Sequence, residues 1–402
     1  MLMIIINFKL ALRTEFKQFC FIALIALCFY SSISAQQPTP TPSPADRERV
    51  AAPQETPKPS VKVAEDDEVI KVNSKLVVVP VSVIDSNGQP VTNLTIKDFK
   101  LEEENRPQDI AEISNAEQVP LEIALLIDVS SSVNPLFEYE KTAAARFLQE
   151  VMKPEDRATV FLIGEKPILL QPRDTAEKTA ATVRAINPTK NQTTFFDTVL
   201  AAVEYLKKNS PERARRVILT LSDGEDTYSK NTLTAYEGAY REMDKKINAI
   251  TQAQRLEIMD RYRLQAQEKN YSGVLRDLQN ADTVFYSINP AGASLKLNKI
   301  SFRGQDGLQK FADETGGTAF LPQVSFPVPG NTLQDSDYAK QNAESLEKIF
   351  QQITAELRAQ YLLQFYSEAS FPAGKYVKLK AETPGKSNLK VKARQGYFAT
   401  TQ

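Results

Sequence analysis

Asp128, Ser130 and Ser132 occupy alternate positions immediately after the apolar residues 124–127, in "LLIDVSSSVNP". A second apolar run, "RVILTLSDGEDT", ends in Asp223 with Gly224 beside it, and "NQTTFFDTV" places Thr193 and Thr194 just before an apolar-periodic stretch. Two carboxylates and three or more hydroxyls form a set of hard oxygen donors. They suit a divalent cation that takes six oxygens and keeps some water, Mg²⁺ first, with Mn²⁺ or Ca²⁺ as alternatives. A shell dominated by hydroxyls leaves the ion electrophilic, so its remaining position should favour a carboxylate from outside. Each segment alone is weak evidence, because Ser, Thr and Asp are also common helix caps.

These donors can meet only if the chain brings them to one edge. From about residue 119 apolar runs alternate with amphipathic helical stretches: "LEIALLID", "PLFEYEKTAAARFLQEVM", "ATVFLIG", "TAEKTAATVRAI", "FFDTVLAAVEYLKKN", "RVILTLSD" and "DTVFYSIN" in turn. This alternation predicts an α/β unit over 119–358, with a doubly wound, mostly parallel sheet covered on both faces. In such sheets ligands bind beyond the carboxyl ends of the strands. All the candidate donors follow strands or precede helices, as that geometry requires.

The flanks read differently. Residues 69–118 contain the β-branched run "KLVVVPVSVID" and the turn "SNGQPV", and 359–402 return to strand alternation around "FPAGK" and "TPGKSN". Both are expected to be β-rich and to pack together as one small module. Residues 228–280, charged and helix-favouring, exceed the usual α/β connection and are expected to form an inserted helical pair. Its charges read most simply as a solvated face. Residues 36–68 are rich in Pro and polar residues and lack apolar periodicity, which predicts an extended spacer. Residues 1–35 join basic residues, the apolar run "FCFIALIALCFY" and the small-residue stretch "SSISA", the pattern of a cleaved export signal.

Composition removes several kinds of chemistry. The chain has 402 residues, no His and no Trp, and its two cysteines, Cys20 and Cys28, both fall in the first 35 residues. Imidazole ligands, Ser-His-Asp arrangements and thiolate metal sites are therefore excluded from the rest of the chain. With 49 basic and 50 acidic residues and no basic stripe, nucleic acid is not indicated as a partner. No Gly-Lys-Ser/Thr phosphate loop is present, and Asp128-Val129-Ser130 lacks a second carboxylate where an Asp-x-Asp phosphotransfer motif would carry one.

"LLIDVSSSV", "TTFFDTVLAAV" and "VILTLSDGEDT" resemble the three metal-site segments of a von Willebrand factor A domain, whose metal-ion-dependent adhesion site uses Asp-x-Ser-x-Ser, a Thr and an Asp. By position the resemblance implies Asp128, Ser130 and Ser132 as the first segment, Thr193 or its neighbour Thr194 as the Thr, and Asp223 acting through water. Gln192 stands where relatives usually carry Gly. "VSVIDSNGQPVTNLTIKDFKLEEENRPQDI", "FADETGGTAF", "ITAELRAQYLLQFY" and "VKARQGYF" extend the likeness, over most of 72–398, to the exported VWFA-related family described from Acidobacteria. The resemblance implies a Rossmann-like fold and a non-enzymatic, exported binding module in the periplasm, envelope or outside the cell. Its partner would be a protein presenting an Asp or Glu carboxylate to the ion, with no membrane insertion after signal cleavage. A structural envelope component with a purely stabilising metal and a metal-dependent hydrolase are the alternatives.

Overall fold

The computed structural model describes residues 75–130, 136–189, 192–245, 250–290, 292, 299–323 and 332–399. The expected export signal and spacer, and Ser132 of the first motif, lie outside them.

Along the chain come strands β1 (Lys75–Ile84), β2 (Lys100–Glu103), β3 (Arg106–Gln108), β4 (Glu112–Asn115) and β5 (Leu121–Asp128). Helix α1 (Leu136–Val151) follows, then β6 (Arg157–Ile163), β7 (Ile168–Asp174), α2 (Ala176–Arg184), α3 (Phe195–Asn209) and β8 (Arg215–Leu221). Next are α4 (Lys230–Asp244), α5 (Gln252–Asn280), β9 (Thr283–Ile288), α6 (Lys299–Thr315), β10 (Ala319–Phe320) and α7 (Thr332–Arg358). The chain closes with β11 (Tyr361–Ser367), β12 (Tyr376–Glu382), β13 (Lys390–Ala393) and β14 (Gly396–Phe398).

The central sheet has the order β10-β9-β8-β5-β6-β7. Its pairs are parallel except β6 with β7, which run antiparallel at the edge. β5 lies in the interior, so both its faces must be apolar, and every residue from Leu121 to Ile127 is buried. The two-residue period divides them: Ile123, Leu125 and Ile127 join a core with α1, α2 and α7, whereas Ala124 and Leu126 join one with α3, α5 and α6. Helices thus cover both faces, which is the doubly wound arrangement. β7 departs from the parallel pattern, and its Ile168, Leu169 and Leu170 are exposed because nothing pairs with that edge among the described residues.

The flanking segments form two antiparallel sheets, β13-β1-β11-β4 and β14-β12-β2-β3. β1 from before the α/β unit pairs with β11 from after it, with Val79 opposite Leu363. Alternate residues of β1, from Val77 to Val83, point into a core with Phe99, Leu101, Phe365, Val377 and Tyr397. The 228–280 region contains α4 and α5. Thr251 and Gln254 cap α5 reciprocally, and Gly238 of α4 lies directly under Tyr262 of α5. The buried residues Ala266, Asn270, Val274 and Leu278 fall at helical spacing on the inward side of α5.

Candidate metal centre

Because β5 is parallel to both β6 and β8, the carboxyl ends of these three strands open on one edge. Asp128 is the last residue of β5. Its Oδ1 accepts from Ser130 N at 3.0 Å and from Ser130 Oγ at 2.5 Å, which folds the Asp-x-Ser turn back on the carboxylate. Its Oδ2 accepts from Ser222 Oγ at 2.8 Å. Ser222 directly follows β8, so this bond joins the ends of two neighbouring strands.

Asp223 comes next, with Oδ1 accepting from Glu225 N at 2.9 Å. The turn depends on Gly224, whose φ of +76° few side chains adopt. It also depends on close backbone approach from α6: a Cβ on Gly304 would meet Asp223 O and the Gly224 carbonyl carbon, each at 2.8 Å.

The Thr-rich loop is sewn to the same turn. Thr193 O accepts from Thr227 N at 3.0 Å and from Tyr228 N at 2.8 Å, and Thr193 N donates to Thr227 Oγ1 at 3.0 Å. Thr227 Oγ1 donates to Gln192 Oε1 at 3.0 Å. With that proton committed, Thr193 Oγ1 is the donor across its 3.1 Å contact with Thr227 Oγ1. Gln192 thereby takes part in the loop. Thr194 Oγ1 instead donates to Gly164 O at 2.9 Å, tying this loop to the end of β6. Thr193, not Thr194, is therefore the hydroxyl bonded to the Asp223 turn.

A rear layer supports this front. Asp226 is half-buried and accepts from Ser229 Oγ, from Thr232 Oγ1 and from Phe196 N, holding the start of α4 against α3. Asp197 Oδ2 accepts from Lys230 N at 2.9 Å at the same junction. Asn270 of α5 donates to Thr232 Oγ1 at 3.3 Å, so the 228–280 region takes part in holding the turn.

The electrostatics are strongly one-sided. Burial pushes the Asp128 carboxyl above its ordinary range, against the lowering effect of its Ser130 and Ser222 bonds. Burial, then the Asp128 and Glu225 charges, push Asp223 up to about 6. Glu140, on α1, is pushed up to about 7 by burial and by Asp128. Asp128 thus raises both Asp223 and Glu140, and carboxylates kept charged in one another's field are what a dication would relieve. Among the described residues no three acidic, His or Cys side chains are grouped closely enough to hold an ion by themselves. Hydroxyls and water must therefore complete any shell, as the chemistry of a hard ion allows. Sequence reasoning missed Ser222 and Thr227. Ser222 adjoins Asp223 at a strand end and was legible in principle, whereas Thr227 carries no local signal.

Fold and site together define an α/β domain with an oxygen-rich cluster of side chains at the carboxyl edge of a parallel sheet. Residues 123–225 match the family described as von Willebrand factor type A domain, so the chain carries a domain of that family. No curated protein matches the chain. Among solved structures, an aerotolerance-related membrane protein from Bacteroides fragilis is 14% identical over 59% of this chain and 98% of its own, with a TM-score of 0.35. Proximal thread matrix protein 1 from the mussel byssus, solved with a zinc-occupied MIDAS motif, is 13% identical over 62% of this chain and 48% of its own, with a TM-score of 0.37. The SpRpn10 VWA domain is 15% identical over 56% of this chain and 95% of its own, with a TM-score of 0.34.

Proposed function

We propose that the protein is an exported, metal-dependent protein-binding module. In this reading a divalent cation is held by Asp128, Ser130, Ser132 and Thr193, with Asp223 acting through water, and it engages an acidic residue of a partner protein. One observation carries the reading: Asp128, at the end of β5, and Asp223, just past the end of the adjacent parallel strand β8, lie half-buried at the sheet's ligand edge among hydroxyls, with Asp128's charge acting on Asp223. When bound, the ion would supply an electrophilic position for the partner's carboxylate. The chain's own part is to hold that position. Ser130 and Ser222 orient the Asp128 carboxylate, and Thr227 holds the Thr193 hydroxyl against the Asp223 turn.

Export rests on the pattern of residues 1–35, and the resemblance to exported VWFA-related proteins leans the same way. Among the described residues no helix is long and apolar enough to cross a membrane. The test is capture of partners from envelope extract on the immobilised protein, in Mg²⁺ and in chelator. Mg²⁺-dependent capture of a protein whose Asp or Glu is indispensable supports the reading. Capture that ignores chelator leaves the ion structural and moves recognition elsewhere.

A further inference from the structure

A cavity of about 40 Å³ lies between α5 and α6 and is bordered by Gly224 and Glu225. Two half-buried arginines line it, Arg263 of α5 and Arg303 of α6. Each keeps one nitrogen out of water without an acceptor, Nε of Arg263 and Nη1 of Arg303. Among the described residues neither guanidinium forms an ion pair. The cavity's own carboxylates are Glu225 and Asp226, and both are engaged elsewhere. Asp226 accepts from Ser229 Oγ, Phe196 N and Thr232 Oγ1, and Glu225 Oε1 accepts from Ser301 Oγ. A fold that needed the arginines only to neutralise these carboxylates would pair the two. Here hydroxyls and a backbone N–H take the carboxylates, and the arginines keep N–H groups to spare. The walls are fixed: Tyr271 Oη donates to Arg303 O at 2.6 Å, while Arg263 stands over the Tyr236 ring, 5.6 Å from its centroid, with Nη2 donating to Tyr236 Oη at 3.3 Å.

We propose that this cavity is an oxyanion site, in which Arg263 and Arg303 clamp a carboxylate or phosphate group between α5 and α6. Guanidinium N–H groups match the oxygens of either group, and charge-assisted hydrogen bonds are the strong ones. Size agrees with chemistry: at roughly 10–15 Å³ for each water-sized centre, the space holds about three, the oxygens of one such group and little more. An anion there would also supply the acceptors that the buried guanidinium nitrogens lack, a deficit that otherwise costs stability. The site goes beyond the cation reading and does not depend on it, since it uses none of Asp128, Ser130, Ser132, Thr193 or Asp223. It gives the 228–280 region, which contributes Arg263, a role beyond that of a solvated face.

Calorimetric titration of the full chain, freed of metal and dialysed out of chelator, tests it with sodium phosphate and, separately, with sodium acetate. The variants are R263Q, R303Q and, as a control, R241Q, which removes an exposed arginine of α4 that does not line the cavity. The expected result is saturable binding of one anion per chain, weaker by roughly tenfold or more in R263Q and R303Q and unchanged in R241Q. Preference for phosphate over acetate, or the reverse, tells which of the two groups the site is built for. Melting is the second readout: the anion that binds should raise the melting temperature of the wild type and of R241Q more than that of the other two. R263K and R303K, which keep the charge without the planar fork, are read in the same way if the Gln variants do not fold. Absence of saturable binding of both anions to the wild type overturns the proposal, as does equal affinity in all four proteins. Failure of the wild-type chain to bind Mg²⁺ in a separate titration overturns only the cation reading.

Discussion

Ser222 Oγ donates to Asp128 Oδ2 at 2.8 Å and accepts from Gly224 N at 3.1 Å. This single hydroxyl, 1% exposed, joins the carboxylate at the end of β5 to the turn that presents Asp223. Ser222→Ala should therefore leave the fold intact and lower Mg²⁺ affinity by roughly tenfold, since Asp128 loses its orientation but not its charge. Asp128→Ala should lower it more steeply, by more than about a hundredfold, because no neutral hydroxyl replaces a charged ligand. Calorimetry on the three proteins, with circular dichroism as the control for folding, gives the order expected: wild type, then Ser222→Ala, then Asp128→Ala. Any other order would dissociate Ser222 from the site.

The raised carboxyls set a pH dependence. Asp223 at about 6 and Glu140 at about 7 stand above their ordinary values of 3.8 and 4.5, so over that interval the folded chain binds more protons than the unfolded one. Their contribution to stability is full below about pH 4 and is lost as pH rises through 6 and 7. Carboxylates held low by their neighbours, Asp98 and Asp174 among them, lose their contribution only in stronger acid. In chelator the melting temperature should rise between about pH 7.5 and pH 5, and the extra stabilisation by Mg²⁺ should shrink over the same interval as protons compete. Melting curves in chelator and in Mg²⁺ at both pH values check the two slopes.

Gly304 permits α6 to lie against the Asp223 turn. A methyl group there would meet three backbone atoms of residues 223–225 at under 3.0 Å, and backbone cannot yield as a flexible side chain can. Gly304→Ala should cost about 1–3 kcal/mol of stability by overpacking. It should also weaken Mg²⁺ binding, although residue 304 contributes no side-chain donor. Urea unfolding and calorimetry measure the two effects, and a loss of stability with wild-type affinity would show that the turn absorbs the strain elsewhere.

The joint between α7 and the β module contains a buried ion pair. Lys392 Nζ of β13 lies 3.1 Å from Glu356 Oε1 of α7 and donates to Thr318 Oγ1 at 2.6 Å, while Thr318 Oγ1 donates to Glu356 Oε2 at 2.8 Å. The Glu356 side chain is 0% exposed. Lys392→Met leaves that carboxylate without its counter-charge and should cost about 3–5 kcal/mol, much of which Glu356→Gln in the same chain should restore. A double-mutant cycle by chemical denaturation checks this, and additive losses would contradict it.

Several parts of the protein were legible along the chain because they are written in local periodicity. The all-apolar run ending at Asp128, the helical stripes between strands and the change to strand alternation beyond residue 359 each record which faces are buried. The Asp-x-Ser turn was legible for the same reason, since Ser130 bonds to an Asp only two residues away. What the tertiary structure decided lies between residues far apart in the chain. Thr193 rather than Thr194 meets the Asp223 turn because Thr194 is drawn to Gly164, thirty residues back. β7 turns antiparallel at the sheet's edge, although its apolar run resembles that of a parallel strand. Ser222 reaches Asp128 across 94 residues, and Gly304 reaches Gly224 across a helix packing that no motif announces. Sheet register and helix docking set these meetings, and both are collective properties of the packed core, so no short stretch of sequence contains them.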